Sequence, residues 1–414
     1  MKRVVITGMG VVSPIGNSVD SFWGNLQSGK HGFSLLDESF TRANFDVKVA
    51  GRVLDFPAQK YFEKKELKRV DRFTQFAVYS SLEALNDSGL DINAQGFDPF
   101  RAGVIFGVGI GGLELTQIEH NKYLTKGPDR VSVFYIPMMI ANMAAGTIAM
   151  RTGFKGDNYC PVTACASAAH ALGEAFRKIK DGYLDVCIAG GSESTINEFA
   201  LGGFNNMTAL SRSDNPDRAS IPFDAERGGF VLGEGSGSLV LEEYERAKAR
   251  GAKIYAEIAG YGATCDAYHM TSPSPEGEAS SKGMILAYTE AGLKPEDINY
   301  INAHGTSTPL NDKYETLAIK KALGEAARKV VVSSTKSMTG HLLGAAGAIE
   351  AIVTAMSCKE DLVHTTLGYK VPDPECDLDY CIGGSREMTV NAALSNSLGF
   401  GGHNATVCFK KVSC

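Results

Sequence analysis

Short runs rich in β-branched residues recur along the chain, and segments of helical length separate them. Strand-like runs lie at 3–7, 103–106, 186–189, 238–241, 255–263, 300–302, 330–333, 392–395 and 405–409. Helical patterns span 19–27, 70–88, 138–150, 166–179, 276–291, 313–323 and 343–357. Such alternation predicts an α/β protein. Ser28-Gly29, Ser88-Gly89, Ala291-Gly292 and Leu323-Gly324 read as helix ends, where glycine accepts the left-handed backbone of a C-cap. A chain of 414 residues has room for two or three core-forming units, or one large fused body.

Charge and composition narrow the function. Lys plus Arg total 41 against 47 for Asp plus Glu, a net charge of −6, which argues against a generic nucleic-acid binder. No apolar run approaches the about 20 residues of a membrane helix. Met1-Lys2-Arg3 followed by Val4–Ile6 faintly mimics a signal segment. Gly8, Gly10 and Pro14 break the apolar stretch, so the reading is a first strand and turn, and a cytoplasmic protein. Nine cysteines without CxxC pairs suggest neither a disulfide framework nor a zinc site.

An internal echo bears on organisation. Val162-Thr-Ala-Cys-Ala-Ser-Ala-Ala opens one Ala/Gly-rich helix, and Ser337-Met-Thr-Gly-His-Leu-Leu-Gly-Ala-Ala opens another. Each follows an extended segment and carries a reactive side chain near the helix start. Duplication and coincidence both fit these residues. On the first, the halves are 1–252 and 253–414, divided after the charged helical stretch 242–250.

Four segments could carry chemistry. Cys165 sits among small residues at a helix start, where unpaired N–H groups favour a thiolate and can hold an oxyanion. The plainer reading is a buried structural cysteine. His304, in Asn302-Ala-His-Gly-Thr-Ser-Thr-Pro, follows a strand end, a usual place for catalytic groups, although a loop histidine is often only structural. Thr306 and Thr308 could bind a polar substrate arm. Lys336 and His341 lie at another strand–helix junction, and the glycines of 398–403 allow close substrate approach or simply a tight turn. One cysteine with two histidines suggests a thiolate nucleophile and two imidazoles. A Cys/His metal site lacks local ligand spacing. Gly107–Gly112 matches GxGxxG, yet no following strand ends in the acid a dinucleotide fold requires. A packed turn beside a substrate channel fits better. The cluster 64–69 is the densest basic patch, either a docking surface for an acidic partner or a solvated helix start.

Taken together, Thr163-Ala-Cys-Ala-Ser, Asn302-Ala-His-Gly-Thr-Ser-Thr and Ser334-Thr-Lys-Ser-Met-Thr-Gly-His-Leu-Leu-Gly-Ala-Ala resemble the β-ketoacyl-acyl-carrier-protein synthases. These are the condensing enzymes of fatty-acid synthesis, and the likeness is nearest to their bacterial elongating branch. It runs from Val4 to Asn404. It implies a thiolase-like fold, with duplicated halves in a five-layered α-β-α-β-α body, and a homodimer. It implies Cys165 as acyl acceptor, and His304 and His341 as promoters of malonyl decarboxylation. Lys336 would be an electrostatic organiser paired with Glu315, with Asp312 structural beside it. The N–H groups of Cys165 and Phe400 would form an oxyanion hole, with Phe400 also a gate. Ile110 and Phe204 would bound the acyl pocket. Thr306 and Thr308 would hold the pantetheine arm, Gly401, Gly402 and His269 would also bind substrate, and Asp266 and His269 would lie on a mobile loop over the site. Lys65, Lys68 and Arg69 would dock the acyl carrier protein.

No cofactor is implied, since phosphopantetheine arrives on the carrier. No metal is required, although Asn302, Glu350, Ser395 and Asn396 match a structural cation or water site. Two departures stand out. Thr208 replaces a docking arginine, for which Arg212 could compensate, and Leu398 replaces a phenylalanine. A polyketide-type ketosynthase, or a silent chain-length partner, is the alternative.

Overall fold

The computed structural model describes residues 1–37 and 46–412. Ten strands form the main sheet: β1 (Val4–Val12), β2 (Ala102–Gly107), β3 (Asn158–Tyr159), β4 (Val186–Glu193), β5 (Gly235–Glu243), β6 (Glu257–Cys265), β7 (Tyr300–Asn302), β8 (Val331–Ser333), β9 (Ala392–Gly399) and β10 (His403–Lys410). Nine helices of nine residues or more lie among the described residues. They are α1 (Val19–Gln27), α2 (Arg72–Ser88), α3 (Leu113–Lys126), α4 (Met143–Thr152), α5 (Ser167–Lys180), α6 (Glu198–Asn206), α7 (Glu278–Glu290), α8 (Pro309–Leu323) and α9 (Ala346–Glu360).

The order across the sheet is β8-β7-β9-β10-β6-β1-β5-β4-β2-β3. Its two ends mirror each other. β3-β2-β4-β5-β1 and β8-β7-β9-β10-β6 share one order, with parallel pairs at the outer end and antiparallel pairs toward the seam. The seam is slight: only Val4 and Val5 of β1 pair with Ile258 and Glu257 of β6. The echo has a backbone counterpart. Ala164 (φ 51°) and Leu343 (φ 48°) are both left-handed non-glycine residues. Each opens a 3-10 turn, Ala164–Ala166 or Leu343–Ala345, that runs directly into α5 or α9.

Side-chain alternation builds the layers. Ile105, Cys187, Ala189, Leu239 and Leu241 face a central core with α5 and α9. Their neighbours Val104, Phe106, Ile188 and Val240 face an outer core with α2 and α4. In the second half Ile301, Val332, Leu394 and Cys408 turn outward onto α7 and α8. Both sheet faces are therefore covered, which explains why these strands read as continuous apolar runs. The central pair is the middle of five layers. Ala346 to Cys358 of α9 are all buried, as expected of a helix apolar on every side.

Three boundary expectations need correction. β1 does not stop at Gly8. It runs to Val12, and its glycines let α2 lie directly on it: a Cβ at Gly8 or Gly10 would fall 2.1 Å from Ala84 O or 2.0 Å from Ser80 O. The helical pattern 138–150 splits into Tyr135–Met139 and α4. The charged stretch 242–250 continues β5 to Glu243, and only Tyr244–Ala249 is helical. No helix among the described residues is long and apolar enough to cross a membrane.

Candidate active site

The reactive side chains come from the mouths of both halves. Cys165 lies in the turn before α5, His304 just beyond β7, Lys336 and His341 beyond β8, and Phe400 in the β9–β10 hairpin. All but Lys336, which contacts His304, line one cavity of about 780 Å³, whose walls include Ile110, Cys165, Phe204, His304, Thr306, Thr308, His341, Phe400 and Gly402. Cys165, His304 and His341 are buried, with sulfur and ring nitrogens within 4.8 Å of one another. The two imidazoles meet edge to face at 5.2 Å between ring centres. Three of the strained non-glycine residues, Ala164, Thr208 and Leu343, stand on the cavity wall, where strain of about 1–3 kcal/mol each is held by surrounding packing.

Hydrogen bonds assign the histidine protons. Leu343 N–H donates to His341 Nδ1 at 3.2 Å. An acceptor Nδ1 puts the proton of a neutral ring on Nε2. Lys336 Nζ sits 3.3 Å from His304 Nδ1, 2.7 Å from His304 O, and against Glu350. An ammonium has three protons and no lone pair, so His304 Nδ1 also accepts and its Nε2 carries the proton. Burial, reinforced by Lys336 and for His304 also by His341, holds both rings well below the usual histidine range. The cavity thus presents two neutral N–H donors.

At Cys165 two effects oppose. Burial pushes the thiol up to about 12, while Lys336 and the backbone N–H groups of Phe400 and Cys165 itself pull it down. Glu193 adds to the upward push. Those same two N–H groups act on Sγ from the side where oxyanion donors are needed.

The lysine's partner differs from the expectation. Lys336 pairs with buried Glu350, not Glu315. Glu315 instead accepts from His304 N–H (2.7 Å) and Gly305 N–H (2.8 Å), which fixes the strand exit that carries His304. Burial pushes the Glu315 carboxyl up to about 7. Asp312 accepts from the N–H groups of Phe223 and Ser307 and faces Arg227 at 3.6 Å, a structural post. In the group matched to a cation site, Glu350 Oε2 is a buried oxygen without a hydrogen-bond partner, as a cation or water would require. The Asn302 and Asn396 carbonyl oxygens are taken by Thr335 and Thr406, and Ser395 is buried beside them.

Other expected residues are placed less uniformly. The Thr306 and Thr308 hydroxyls meet at 2.9 Å on the cavity wall. Asp266 lines the cavity and binds Asn404 (2.7 Å) and Ser274 N–H (3.0 Å), tying the 266–274 loop to the hairpin. Gly401 N–H donates to Met270 O. His269, expected at the substrate, lies outside the cavity. It is exposed, and its Nδ1 accepts from Thr271 and Ser272 N–H. Lys65, Lys68 and Arg69 are exposed on a 3-10 turn and the loop before it, with Arg69 over the Phe134 ring. Thr208 lines the cavity, and exposed Arg212 faces Asp46 at 3.9 Å.

The glycine-rich loop 107–112 wraps an anion, but the anion is the protein's own. Glu193 fills the nest of N–H groups where a phosphate would sit. Sequence reading missed Glu193. Its one signal was an acid ending an apolar strand.

Residues 1–247 match the family described as Beta-ketoacyl synthase, N-terminal domain, and 255–370 its C-terminal domain. The 3-oxoacyl-[acyl-carrier-protein] synthase 2 of Synechocystis sp. is 52% identical over 411 residues, 99% of this chain and 98% of that protein. A β-ketoacyl synthase from Burkholderia phymatum superposes with a TM-score of 0.92 at 34% identity over the whole of both chains. A type II polyketide ketosynthase, solved with its acyl-carrier protein, superposes at 0.91 with 36% identity, again over both whole chains. Sequence motifs, repeated strand order and full-length similarity agree, and the chain belongs to the β-ketoacyl synthase family.

Proposed function

We propose that this chain elongates acyl chains on acyl carrier protein by decarboxylative condensation. The observation that carries the reading is a buried thiol facing two neutral imidazole N–H donors in one cavity. Cys165 attacks the thioester of an acyl carrier. Its sulfur–carbonyl bond forms, the carrier's carbon–sulfur bond breaks, and the thiol proton goes to the departing carrier thiolate. The N–H groups of Cys165 and Phe400 hold the oxyanion. A malonyl carrier follows. Loss of carbon dioxide leaves an enolate, whose oxygen accepts from Nε2–H of His304 and His341. The enolate carbon attacks the acyl-Cys165 carbonyl and frees the thiolate, giving a β-ketoacyl carrier two carbons longer. Neutral rings suit this work because they donate without surrendering a proton.

Ile110 and Phe204 bound the acyl end of the cavity, and Thr306 and Thr308 hold the pantetheine arm at its mouth. That arm belongs to the carrier, which docks at Lys65, Lys68 and Arg69. Arg212 adds charge where Thr208 has none. The reading divides the chain into residues 1–252, with the thiol, and 253–414, with the lysine and both histidines. Exposed Ile118, Phe199 and Met207, with Val133 and Ile136, leave an apolar face that a homodimer would cover. The place of work is the cytoplasm. Identity of 52% to a synthase 2, against 36% to the polyketide ketosynthase, favours fatty-acid over polyketide elongation. Cys165 itself speaks against a silent chain-length partner.

The test is product mass. Purified protein with acyl carrier and malonyl carrier should yield carriers extended by two carbons, with output peaking at one chain length. Acyl transfer without extension would sink the condensing role.

A further inference from the structure

Glu193 ends β4 and is completely buried. Its carboxylate accepts from Gly109 N–H (2.8 Å), Ile110 N–H (3.2 Å), Gly111 N–H (3.1 Å) and Gly344 N–H (3.2 Å). Three of these donors belong to the glycine loop, and the fourth to the turn after His341. A Cβ on Gly109 would fall 2.7 Å from Glu193 Oε2, and one on Gly344 2.8 Å from the same oxygen, so both glycines are shaped around it. Among the described residues no ion pair reaches Glu193; amide groups alone answer its charge. Burial without a cation pushes its carboxyl up to about 7.

The two segments it joins face the chemistry. Ile110 lines the cavity beside Cys165. Leu343, next to Gly344, supplies the N–H that fixes the His341 ring. The cavity also has a far side. Phe204 and Met207 line both it and a second, apolar groove of about 620 Å³, whose other walls include Leu113 and Gln117 of α3 and Phe199 of α6. Leu113 starts α3 directly after the glycine loop. On the reading of Ile110 and Phe204 as the acyl end of the cavity, a chain too long for it reaches the groove by moving past them, and Glu193 restrains the Ile110 side.

We propose that Glu193 is a positioning residue that sets acyl-length preference by anchoring the Ile110 loop to the turn after His341. This rests on the reading of Cys165 as acyl acceptor. Glu193→Gln keeps the shape but turns an amide NH₂ toward N–H donors, which frees the loop. Short acyl chains do not need the loop to move, whereas long ones do.

The experiment measures kcat/KM for hexanoyl and palmitoyl transfer from carrier to enzyme in wild type, Glu193→Gln, Ile110→Ala and the double variant. Glu193→Gln should raise the palmitoyl-to-hexanoyl ratio by at least about fivefold, the scale of one lost hydrogen bond. On the Ile110→Ala background it should change that ratio by less than about twofold, since coupled residues are not additive. Equal loss at both lengths, or the same shift on both backgrounds, would overturn the proposal. If Glu193→Gln does not fold, Glu193→Asp, which keeps the charge but falls one methylene short, takes its place with the same criteria. No acyl transfer by the wild type would instead overturn the reading of Cys165, and this proposal with it.

Discussion

At the scale of residues, the site depends on placing charge where water cannot reach it. Lys336 and Glu350 form a buried pair, and breaking such a pair strands the remaining charge. Glu350→Ala should therefore cost roughly 3–5 kcal/mol, read from denaturant midpoints. A cost below about 1 kcal/mol, the worth of an exposed pair, would contradict the pairing. The histidines make a second prediction. Their folded-state pKa values lie well below the usual 6.5, so they bind protons only in distinctly acidic solution. Decarboxylation of malonyl carrier by Cys165→Gln should thus stay flat between about pH 6 and 8, and fall only as pH drops toward those lowered values. A loss centred near pH 6.5 would show that burial does not hold the rings neutral.

That Cys165, His304, Lys336 and His341 come together was legible in sequence because each lies in a distinctive strand–loop–helix setting. Their partners were not. Glu315 and Glu350 are both acids on helices, and nothing local tells which will meet Lys336. Glu193 was hidden because its donors are backbone groups far along the chain, 82–84 residues away in the glycine loop and 151 away at Gly344. His269 shows the reverse limit: a suggestive residue whose ring caps a turn.

At the scale of elements, the type and order of most were readable, but α3, α6 and the two-residue β3 had no counterpart in the sequence reading, and the ends were not readable. Gly8 and Gly10 looked like breakers because glycine weakens an isolated strand. Here they are contact points, and the helix pressed on them supplies what the strand lacks. Gly10→Ala would force the α2 backbone away from β1 and should destabilise by about 1–3 kcal/mol. Gly24→Ala is the control of opposite sign. Gly24 is exposed within α1 with nothing within 4 Å of a Cβ, so alanine there should stabilise by about 0.5–1 kcal/mol. Thermal melts of the two variants check both signs, and a neutral Gly10→Ala would contradict the packing account. The split of 138–150 was masked because the break falls at an apolar residue, Ile140; the one local signal was Asn142, the N-cap of α4.

For the whole molecule, two similar halves hold one site between them. α5 comes from one half and α9 from the other, and both lie in the central core. Trp23, the single tryptophan, sits on α1 in the first half and donates to Glu360 at the end of α9 in the second (2.8 Å). Neither half can expose that core and stay folded, so one cooperative transition is expected. Trp23 fluorescence and far-ultraviolet dichroism should share a midpoint, and two separated transitions would contradict the shared core. The same architecture explains why thiol and imidazoles, more than a hundred residues apart, meet within one cavity.

The most direct test of the account is the mass of the intact protein after brief exposure to acyl carrier alone. The account predicts a single acyl adduct that maps to Cys165, disappears on adding malonyl carrier as the elongated product forms, and is absent in Cys165→Ala. An adduct that persists in Cys165→Ala, or one on Cys165 that malonyl carrier does not discharge, would contradict it.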